Sequence, residues 1–314
     1  MPSKPPDHTP SPEEQAAPPD NAPRPAGVPA SSGLVLVSTP IGNLGDLSQR
    51  AIATLRAADL VLCEDTRTTA RLLSAHAITA RTAALHEHNE DSRIAQVLAL
   101  LREGRCVALV SDAGTPLVSD PGYRLVRAAI AEGLPVTGVP GANAALLALT
   151  LSGLPPHPFL FLGFPPPRQA ARLAAFAALR AAERAGLDAT LIWYEAPHRL
   201  AEALADMAQA FGDRPAAVAR ELTKRFEEVR RDRLPALAAH YATHPARGEI
   251  CVLLGPAPAE PAAEADIDAL LRTALAAHRL KEAVAQVTAA TGLPRRQVYA
   301  RALALSGDGP VQER

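Results

Sequence analysis

The 314-residue chain reads as an α/β protein. Three observations predict this class. Apolar runs of four to six residues recur and alternate with segments of helical spacing, the signature of βαβ units and a mainly parallel sheet. Most runs stop abruptly in loops bearing Gly, Pro or Asp, as in CVALV followed by SDAGTPLVSDPG at residues 106–122. The length allows two domains and a large buried core.

In order, Leu34–Val37 is a first strand, followed by the turn-rich Thr39-Pro40-Ile41-Gly42-Asn43. Residues 46–57 carry helical spacing, with Asp46 or Ser48 able to cap the start. Asp59–Cys63 is a second strand ending in Glu64-Asp65-Thr66-Arg67. A helix over about 68–75, a short strand at Ala83–Leu85, a polar loop at His86–Glu90 and a helix over 91–103 follow. The strand Cys106–Val110 enters the long loop, then a helix over 122–132 and a strand at Pro135–Val139 ending in Pro140-Gly141-Ala142-Asn143. If these strands are parallel, their loops share one sheet edge and form a crevice, where open α/β sheets hold ligands.

Ser152–Pro158 reads as an interdomain connection, so the first domain is set at 33–154 and the second at 155–256. The second holds strands at 159–164, 189–194, 216–220 and 249–254, helices at 168–185 and 197–211, and a polar section at 222–247. The alternation is expected to continue there as well. Residues 257–263 are a Pro/Ala/Glu-rich linker, and helices near 264–277, 279–291 and 294–305 form a small terminal unit before a tail at 306–314. Gly292 is placed to end the second of these helices and Pro294 to open the third.

Composition excludes several classes. Formal net charge is -1, so nucleic-acid contact has to come from local patches rather than a basic surface. The first 32 residues carry ten prolines and no apolar stretch, which predicts a disordered tail rather than a signal peptide. No apolar run reaches the roughly 18 residues of a membrane span, so no membrane association is expected. Cys63, Cys106 and Cys251 each sit alone in a strand-like run, which predicts buried, reduced thiols in a cytoplasmic protein. No cluster has metal-ligand spacing, and no metal requirement is expected.

Common motifs do not explain the loops. The chain has no dinucleotide-binding G-x-G-x-x-G after its first strand, no phosphate-loop G-x-x-x-x-G-K-[ST], no H-E-x-x-H and no G-x-S-x-G. What the long loop offers is a carboxylate at Asp112, a hydroxyl at Thr115 and glycines that let backbone approach a small molecule.

Seven segments in order carry a resemblance: STPIGNLGDLSQRA at 38–51, EDTR at 64–67, SDAGTPLVSDPG at 111–122, VPGANA at 139–144, GFPP at 163–166, YEAPHRL at 194–200 and RELTKRFEE at 220–228. Together they resemble the small-subunit rRNA methyltransferase I family of the tetrapyrrole methylase superfamily, over about residues 33–305. Ser38, Ala142 and Pro165 stand where that family usually has proline, proline and leucine. The resemblance implies two α/β domains of tetrapyrrole methylase type with the cofactor cleft between them, plus the C-terminal helical unit. It further implies S-adenosylmethionine as cofactor, 2′-O-methylation of a cytidine in the decoding region of 16S rRNA within the 30S subunit, and a homodimer.

On that reading the cofactor-binding residues are Ile41, Asp112, Gly114, Thr115, Val118, Gly141, Asn143 and Ala144, with Ile41 and Val118 walling the adenosine. Asp112 suits a turn cap equally well. The general base stays open among Asp112, Glu64, His88 and Glu195, the last ending a second-domain strand expected to face the cleft. Arg67, His86, Arg220, Lys224, Arg225, Arg295 and Arg296 are the RNA-facing candidates. Each has a structural alternative: Arg67 in a salt-bridged corner, the run 220–233 as a solvated face, the terminal arginines in helix packing. Two rivals remain, a small-molecule or tetrapyrrole methylase of the same superfamily and a non-catalytic ribosome-binding factor.

Overall fold

In a computed structural model of the chain, residues 32–86, 90–258, 264–291 and 293–306 are described. They divide into two compact units, one running to Leu147 and taking back Glu221–Glu227, the other holding Ala148–Arg220 and the chain from Glu228 onward.

The first unit carries five strands, β1 (Gly33–Val37), β2 (Leu60–Cys63), β3 (Thr82–Ala84), β4 (Cys106–Val110) and β5 (Val136–Val139), in the order β3-β2-β4-β1-β5. Every pairing is parallel, as the alternation predicted. Parallel sheets are covered on both faces, which is why these strands read as unbroken apolar runs. Successive side chains point to opposite faces. Val35, Val37, Val61, Cys63, Ala108 and Val110 pack with α1 (Gln49–Ala57) and α2 (Thr66–Ala75). Leu34, Leu60, Leu62, Val107 and Leu109 pack with α3 (Glu90–Arg102) and α4 (Tyr123–Ala131).

The strand order sets the candidate binding edge. From β1 the chain crosses toward β2 on the α1 face, whereas from β4 it crosses toward β5 on the α4 face. Adjacent strands β1 and β4 therefore send their following segments in opposite directions. This leaves a gap beyond their carboxyl ends, the switch point of an open α/β sheet.

Side-chain caps set three helix starts at the edge of the first sheet. Ser48 caps α1 by accepting from the Ala51 N–H at 3.1 Å, and the residues 44–46 ahead of it form a 3-10 turn rather than the start of the helix. Asp65 caps α2, accepting from the Arg67 N–H at 2.8 Å. Asn143 accepts from the Leu146 N–H at 3.1 Å and caps α5 (Ala144–Ser152). Sequence reading passed over α5, because AALLALTLS is apolar on every side and shows no amphipathic period.

The second unit is built differently from the first. Its sheet runs β6 (Phe159–Phe161), β7 (Thr190–Glu195), β10 (Ile250–Leu254), β8 (Pro215–Arg220), β9 (Glu228–Arg233), and only β6 and β7 are parallel. The other three pairings are antiparallel. The polar section 222–247 hides the cause. It contains β9, which forms a hairpin with β8, and α8 (Leu234–Thr243). With the sequence EVRRDR, β9 is a charged edge strand without apolar alternation. The helix expected from 197 begins at Leu200, so His198 and Arg199 lie in the preceding turn. α6 (Gln169–Arg184), α7 (Leu200–Phe211) and α8 contribute Phe176, Leu204, Met207 and Leu237 to a core that also holds Trp193 and Val252.

Two buried ion pairs brace α6, one to α7 and the other to the segment just before β8. Arg172 of α6, fully buried, donates from Nε to Asp206 Oδ2 of α7 at 2.7 Å. Arg214 holds Glu183 through two bonds of 2.8 and 3.0 Å.

The terminal unit holds α9 (Glu264–Ala277), α10 (Leu280–Thr291) and α11 (Arg295–Ser306), close to the predicted spans, around Ile267, Leu271, Val284, Val287 and Val298. Pro294 stands one residue ahead of α11, while Gly292 lies outside the described residues. The three cysteines are buried and free. Among the described residues no helix is long and apolar enough to cross a membrane.

Removing Asp206 leaves the Arg172 guanidinium charged and buried without its nearest partner. Breaking such a pair from one side costs about 3–5 kcal/mol. Asp206→Ala is expected to lower the urea midpoint accordingly, and an unchanged midpoint would show that Glu202 and the Pro167 carbonyl suffice to hold Arg172.

Candidate functional site

Four loops of the first unit meet at the carboxyl edge of its sheet, and hydrogen bonds stitch them into one rim. Thr39, just past β1, exchanges backbone bonds with Gly114: its N–H donates to the Gly114 carbonyl at 2.8 Å and receives the Gly114 N–H on its own carbonyl at 3.1 Å. The Thr39 hydroxyl donates to the Ser111 carbonyl at 3.1 Å, and the Ser111 hydroxyl to the Gly114 carbonyl at 3.0 Å. Ser38 donates through Oγ to Thr115 Oγ1 at 3.3 Å, and Thr115 in turn to the Ala142 carbonyl at 3.2 Å. The loop after β2 joins through the Asp65 N–H, which donates to Asp112 Oδ1 at 3.1 Å.

Glycine is required at two points of this rim. A Cβ on Gly141 would stand 2.9 Å from the Ser38 Cβ. Gly114 adopts φ +82, and a Cβ there would press to 3.3 Å on Ile41. The same loop holds Leu117 at φ 72 and Ser119 at φ 69, left-handed backbone that costs a non-glycine residue energy. Strain of this kind persists where surrounding structure over-determines it, which is common at ligand sites.

The rim gathers negative charge. Asp112 and Asp120 are half-buried and Glu64 is exposed. Burial, then the Glu64 carboxylate, then that of Asp112 push Asp120 up to about 6, against a hydrogen bond from Ser111 that favours ionisation. Among the described residues no group of acidic or other ligating side chains is arranged to hold a metal ion. Such a rim favours a cationic small molecule, with glycine backbone for close approach and the half-buried Val118 for apolar contact. S-adenosylmethionine, carrying a sulfonium and an ammonium, fits that donor set.

The structure thus brings Ile41, Glu64, Asp112, Gly114, Thr115, Val118, Gly141, Asn143 and Ala144 to one sheet edge. Two of them have structural duties as well: Ile41 is buried beneath Gly114, and Asn143 spends its carbonyl oxygen on the α5 cap. Arg67 forms the salt-bridged corner, reaching both Asp65 oxygens at 3.2 and 2.8 Å and, with its own N–H, holding that carboxyl down to about 2. His86 is exposed, and His88 lies outside the described residues.

Lys224 and Arg225 sit on the loop Glu221–Glu227, which groups with this unit. The Lys224 stem lies across Gly42, where a Cβ would come within 2.3 Å of it, and its ammonium bonds Glu221 at 3.0 Å. Arg225 stacks on the Phe226 ring at 5.5 Å.

Glu195, Arg220, Arg295 and Arg296 belong to the second unit. Glu195 is buried. It accepts the Ala196 N–H at 2.8 Å, and its second oxygen has no hydrogen-bond partner among the described residues. Burial raises its carboxyl above the usual range, against that N–H and the nearby Arg199. Arg220 bonds Glu228 at 2.7 Å. Arg295 and Arg296 are exposed at the start of α11, whereas Arg301 is tied to Asp268 of α9 at 2.7 Å.

Sequence reading missed Asp120 and Phe226. The signals were present: a second acid, in Ser119-Asp120-Pro121-Gly122, on the same loop as Asp112, and a lone aromatic inside the charged run 220–233.

Residues 33–238 match the family model of Tetrapyrrole (Corrin/Porphyrin) Methylases, and residues 261–306 match that of the RsmI C-terminal HTH domain. The chain is 49% identical to a protein of Mesorhizobium japonicum named "Ribosomal RNA small subunit methyltransferase I", over 90% of this chain and 96% of that one. Proteins of the same name from Micromonospora olivasterospora and Pseudomonas aeruginosa are 48% and 44% identical, over 92% and 87% of this chain and 92% and 98% of theirs. Among solved structures, the methyltransferase CobJ superposes with a TM-score of 0.54 at 21% identity, covering 72% of this chain and 95% of its own. Diphthine synthase gives 0.53 at 16% identity, over 71% and 90%. At these identities the likeness is one of fold.

The Asp120 carboxyl has a consequence for stability. Its pKa is raised on folding, so its contribution is fully present below about pH 4 and is lost as pH rises through about 6. Asp120→Asn removes the charge that the rim opposes. Because the group is only half-buried, a gain on the order of 1 kcal/mol is expected, or about 2–4 °C in Tm at pH 8, closing toward pH 4. Thermal melts across that range check it, and a constant gap would mean that Asp120 does not titrate late.

Proposed function

This chain belongs to the tetrapyrrole methylases and, within them, to the small-subunit rRNA methyltransferase I family, and on that premise we propose that it methylates the ribose 2′-hydroxyl of a cytidine in the decoding region of 16S rRNA. One observation carries the choice of substrate: relatives that match nearly end to end at up to 49% identity are named for small-subunit rRNA. The helical unit at 261–306, matched by its own family model, favours a macromolecular substrate over the small molecules of a tetrapyrrole methylase. The enzyme acts in the cytoplasm on the 30S subunit, as a homodimer.

When bound, S-adenosylmethionine supplies a methyl group on a positively charged sulfur. The chain's part is to hold donor and acceptor in line, which is worth roughly 7–11 kcal/mol of the barrier. Gly114 and Gly141 let backbone approach the donor, Asp112 turns a carboxylate to its ammonium or ribose, the Asn143 amide keeps its N–H groups for it, and Val118 walls the adenosine. Electrostatic attraction from Glu64, Asp112 and Asp120 adds to its retention.

Deprotonation of the hydroxyl falls to a carboxylate of this rim, adding roughly 10²–10⁴-fold. Asp120, raised toward neutrality, joins Asp112 and Glu64 as candidates, and His88, outside the described residues, remains the alternative base. Glu195, with its side chain wholly buried, serves instead to position Arg199, 3.4 Å away, whose guanidinium also bonds the Pro165 carbonyl at 2.8 Å. Arg67, His86, Arg220, Lys224, Arg225, Arg295 and Arg296 make up the RNA-facing set.

The test is transfer of labelled methyl from S-adenosylmethionine to unmodified 30S subunits, with the product mapped by nuclease digestion. Label on a decoding-region cytidine 2′-oxygen is expected, and Asp112→Asn is expected to weaken donor binding by about tenfold in calorimetry, one charge-assisted hydrogen bond. Donor binding with no label on 30S or free rRNA would point to a small-molecule methylase. Absence of donor binding would leave a non-catalytic ribosome-binding factor.

A further inference from the structure

The loop Glu221–Glu227 is more tightly built than a hairpin connection requires. Glu221 and Thr223 hold left-handed backbone at φ 50 and 66 although neither is glycine. The Lys224 N–H donates to the Glu221 carbonyl at 3.0 Å and the Glu227 N–H to the Lys224 carbonyl at 3.2 Å. The Thr223 N–H donates to the Glu227 carboxylate at 2.6 Å, and the Lys224 ammonium holds Glu221 at 3.0 Å. The Lys224 stem lying across Gly42 fixes the loop beside the first strand-end loop of the rim.

A loop so constrained nevertheless presents Phe226 at 64% exposure, the highest among the exposed large apolar side chains of the described residues. Its neighbour Arg225 places a guanidinium 5.5 Å from the ring centre. The surrounding guanidiniums are otherwise committed: Arg220 and Arg230 to Glu228, Arg233 to Asp213. Among the described residues Arg225 has no carboxylate partner. An exposed aromatic face with a cation on it, held by a rigid backbone next to an anionic catalytic rim, is out of place as mere surface.

We propose that Phe226 and Arg225 form a stacking platform for an unpaired nucleobase of the RNA substrate, next to the nucleotide that receives the methyl group. The proposal rests on the reading of the substrate as rRNA. Aromatic and guanidinium planes are how proteins hold splayed bases of single-stranded RNA, and a duplex hides those faces. The pair therefore selects unpaired substrate, a task that phosphate-binding lysines and arginines do not perform. Lys224 is the peg that sets the platform's position.

Phe226→Ala, Phe226→Trp and Arg225→Ala in the full chain test it. Each is titrated by fluorescence anisotropy with a labelled single-stranded oligoribonucleotide of decoding-region sequence, and with the same strand closed in a duplex. S-adenosylmethionine affinity and Tm are measured alongside. Phe226→Ala is expected to weaken single-strand binding by about 5- to 100-fold and duplex binding by much less, with donor affinity and Tm unchanged. The expected split in methylation is a raised KM for RNA with kcat nearly kept. Phe226→Trp should restore the single-strand preference, and Arg225→Ala should weaken it in part. Equal losses on single strand and duplex would overturn stacking in favour of plain charge. Wild-type affinity in Phe226→Ala would overturn the platform alone, and so would a loss accompanied by dissociation of an oligomer in size-exclusion, which would assign Phe226 to a contact between copies. No RNA binding by the wild-type chain, despite donor binding, would overturn both this proposal and the rRNA reading.

Discussion

A parallel sheet covered on both faces has only its strand ends left for chemistry, and here the ends of β1 and β4 are held by one reciprocal backbone pair, Thr39 with Gly114. Much of the site depends on that pair. It closes the gap at the switch point to a fixed width, and it leaves the Thr39 hydroxyl to take up the Ser111 carbonyl and the Ser111 hydroxyl to add a second bond to the Gly114 carbonyl. Unpaired buried carbonyls are costly, so the order of small residues is dictated by hydrogen-bond accounting as well as by the ligand. Glycine at 114 and 141 follows from the same closeness, since any side chain there would push β1's loop away from its neighbours.

The second constraint is electrostatic. A formal net charge of -1 describes a chain whose charges are segregated, not absent. The rim collects Glu64, Asp112 and Asp120, where burial first and the neighbouring carboxylates second raise the Asp120 carboxyl, and a cation relieves the repulsion among them. The β8–β9 hairpin collects arginines, most of them already satisfied by Glu228, Asp213 or the Leu151 carbonyl. The two surfaces thus carry opposite sign, one suited to a cation and the other to a polyanion. Paired arginines still attract phosphate, but with less reach than their number suggests, which turns attention to Arg225, without a carboxylate partner among the described residues.

How legible all this was in the sequence depended on whether burial was one-sided, two-sided or absent. The first sheet could be read strand by strand because both faces are buried and the runs are unbroken, as in Cys106–Val110. The loops SDAGTPLVSDPG and VPGANA announced the binding edge by their glycines and prolines. β9 was invisible because an edge strand of EVRRDR carries its information in backbone pairing and charge, and with it the antiparallel character of the second sheet was lost. α5 was missed for the opposite reason, being apolar on all sides. Within the site, residue types pointed to Asp112, Gly114 and Asn143, but not to Asp120, whose importance lies in its neighbours Glu64, 56 positions earlier in the chain, and Asp112.

The edge strand also shows how one sequence can answer two demands. An exposed strand end of a sheet invites pairing with another chain, and charge along it is the usual protection. In β9 that protection takes the form of Arg230, Arg231 and Arg233, and the hairpin turn they flank is the loop that groups with the first unit through Lys224 and Gly42. The charges that keep the sheet from aggregating are also of the sign a polyanion attracts. The left-handed Glu221 and Thr223 make sense in that setting. A relaxed hairpin would let its tip move independently of the rim, whereas a strained, internally bonded tip transmits the position of Lys224 to Arg225 and Phe226. Rigidity at that point reduces the entropy lost when a nucleotide is captured, and preorganisation of this kind raises affinity without adding a contact.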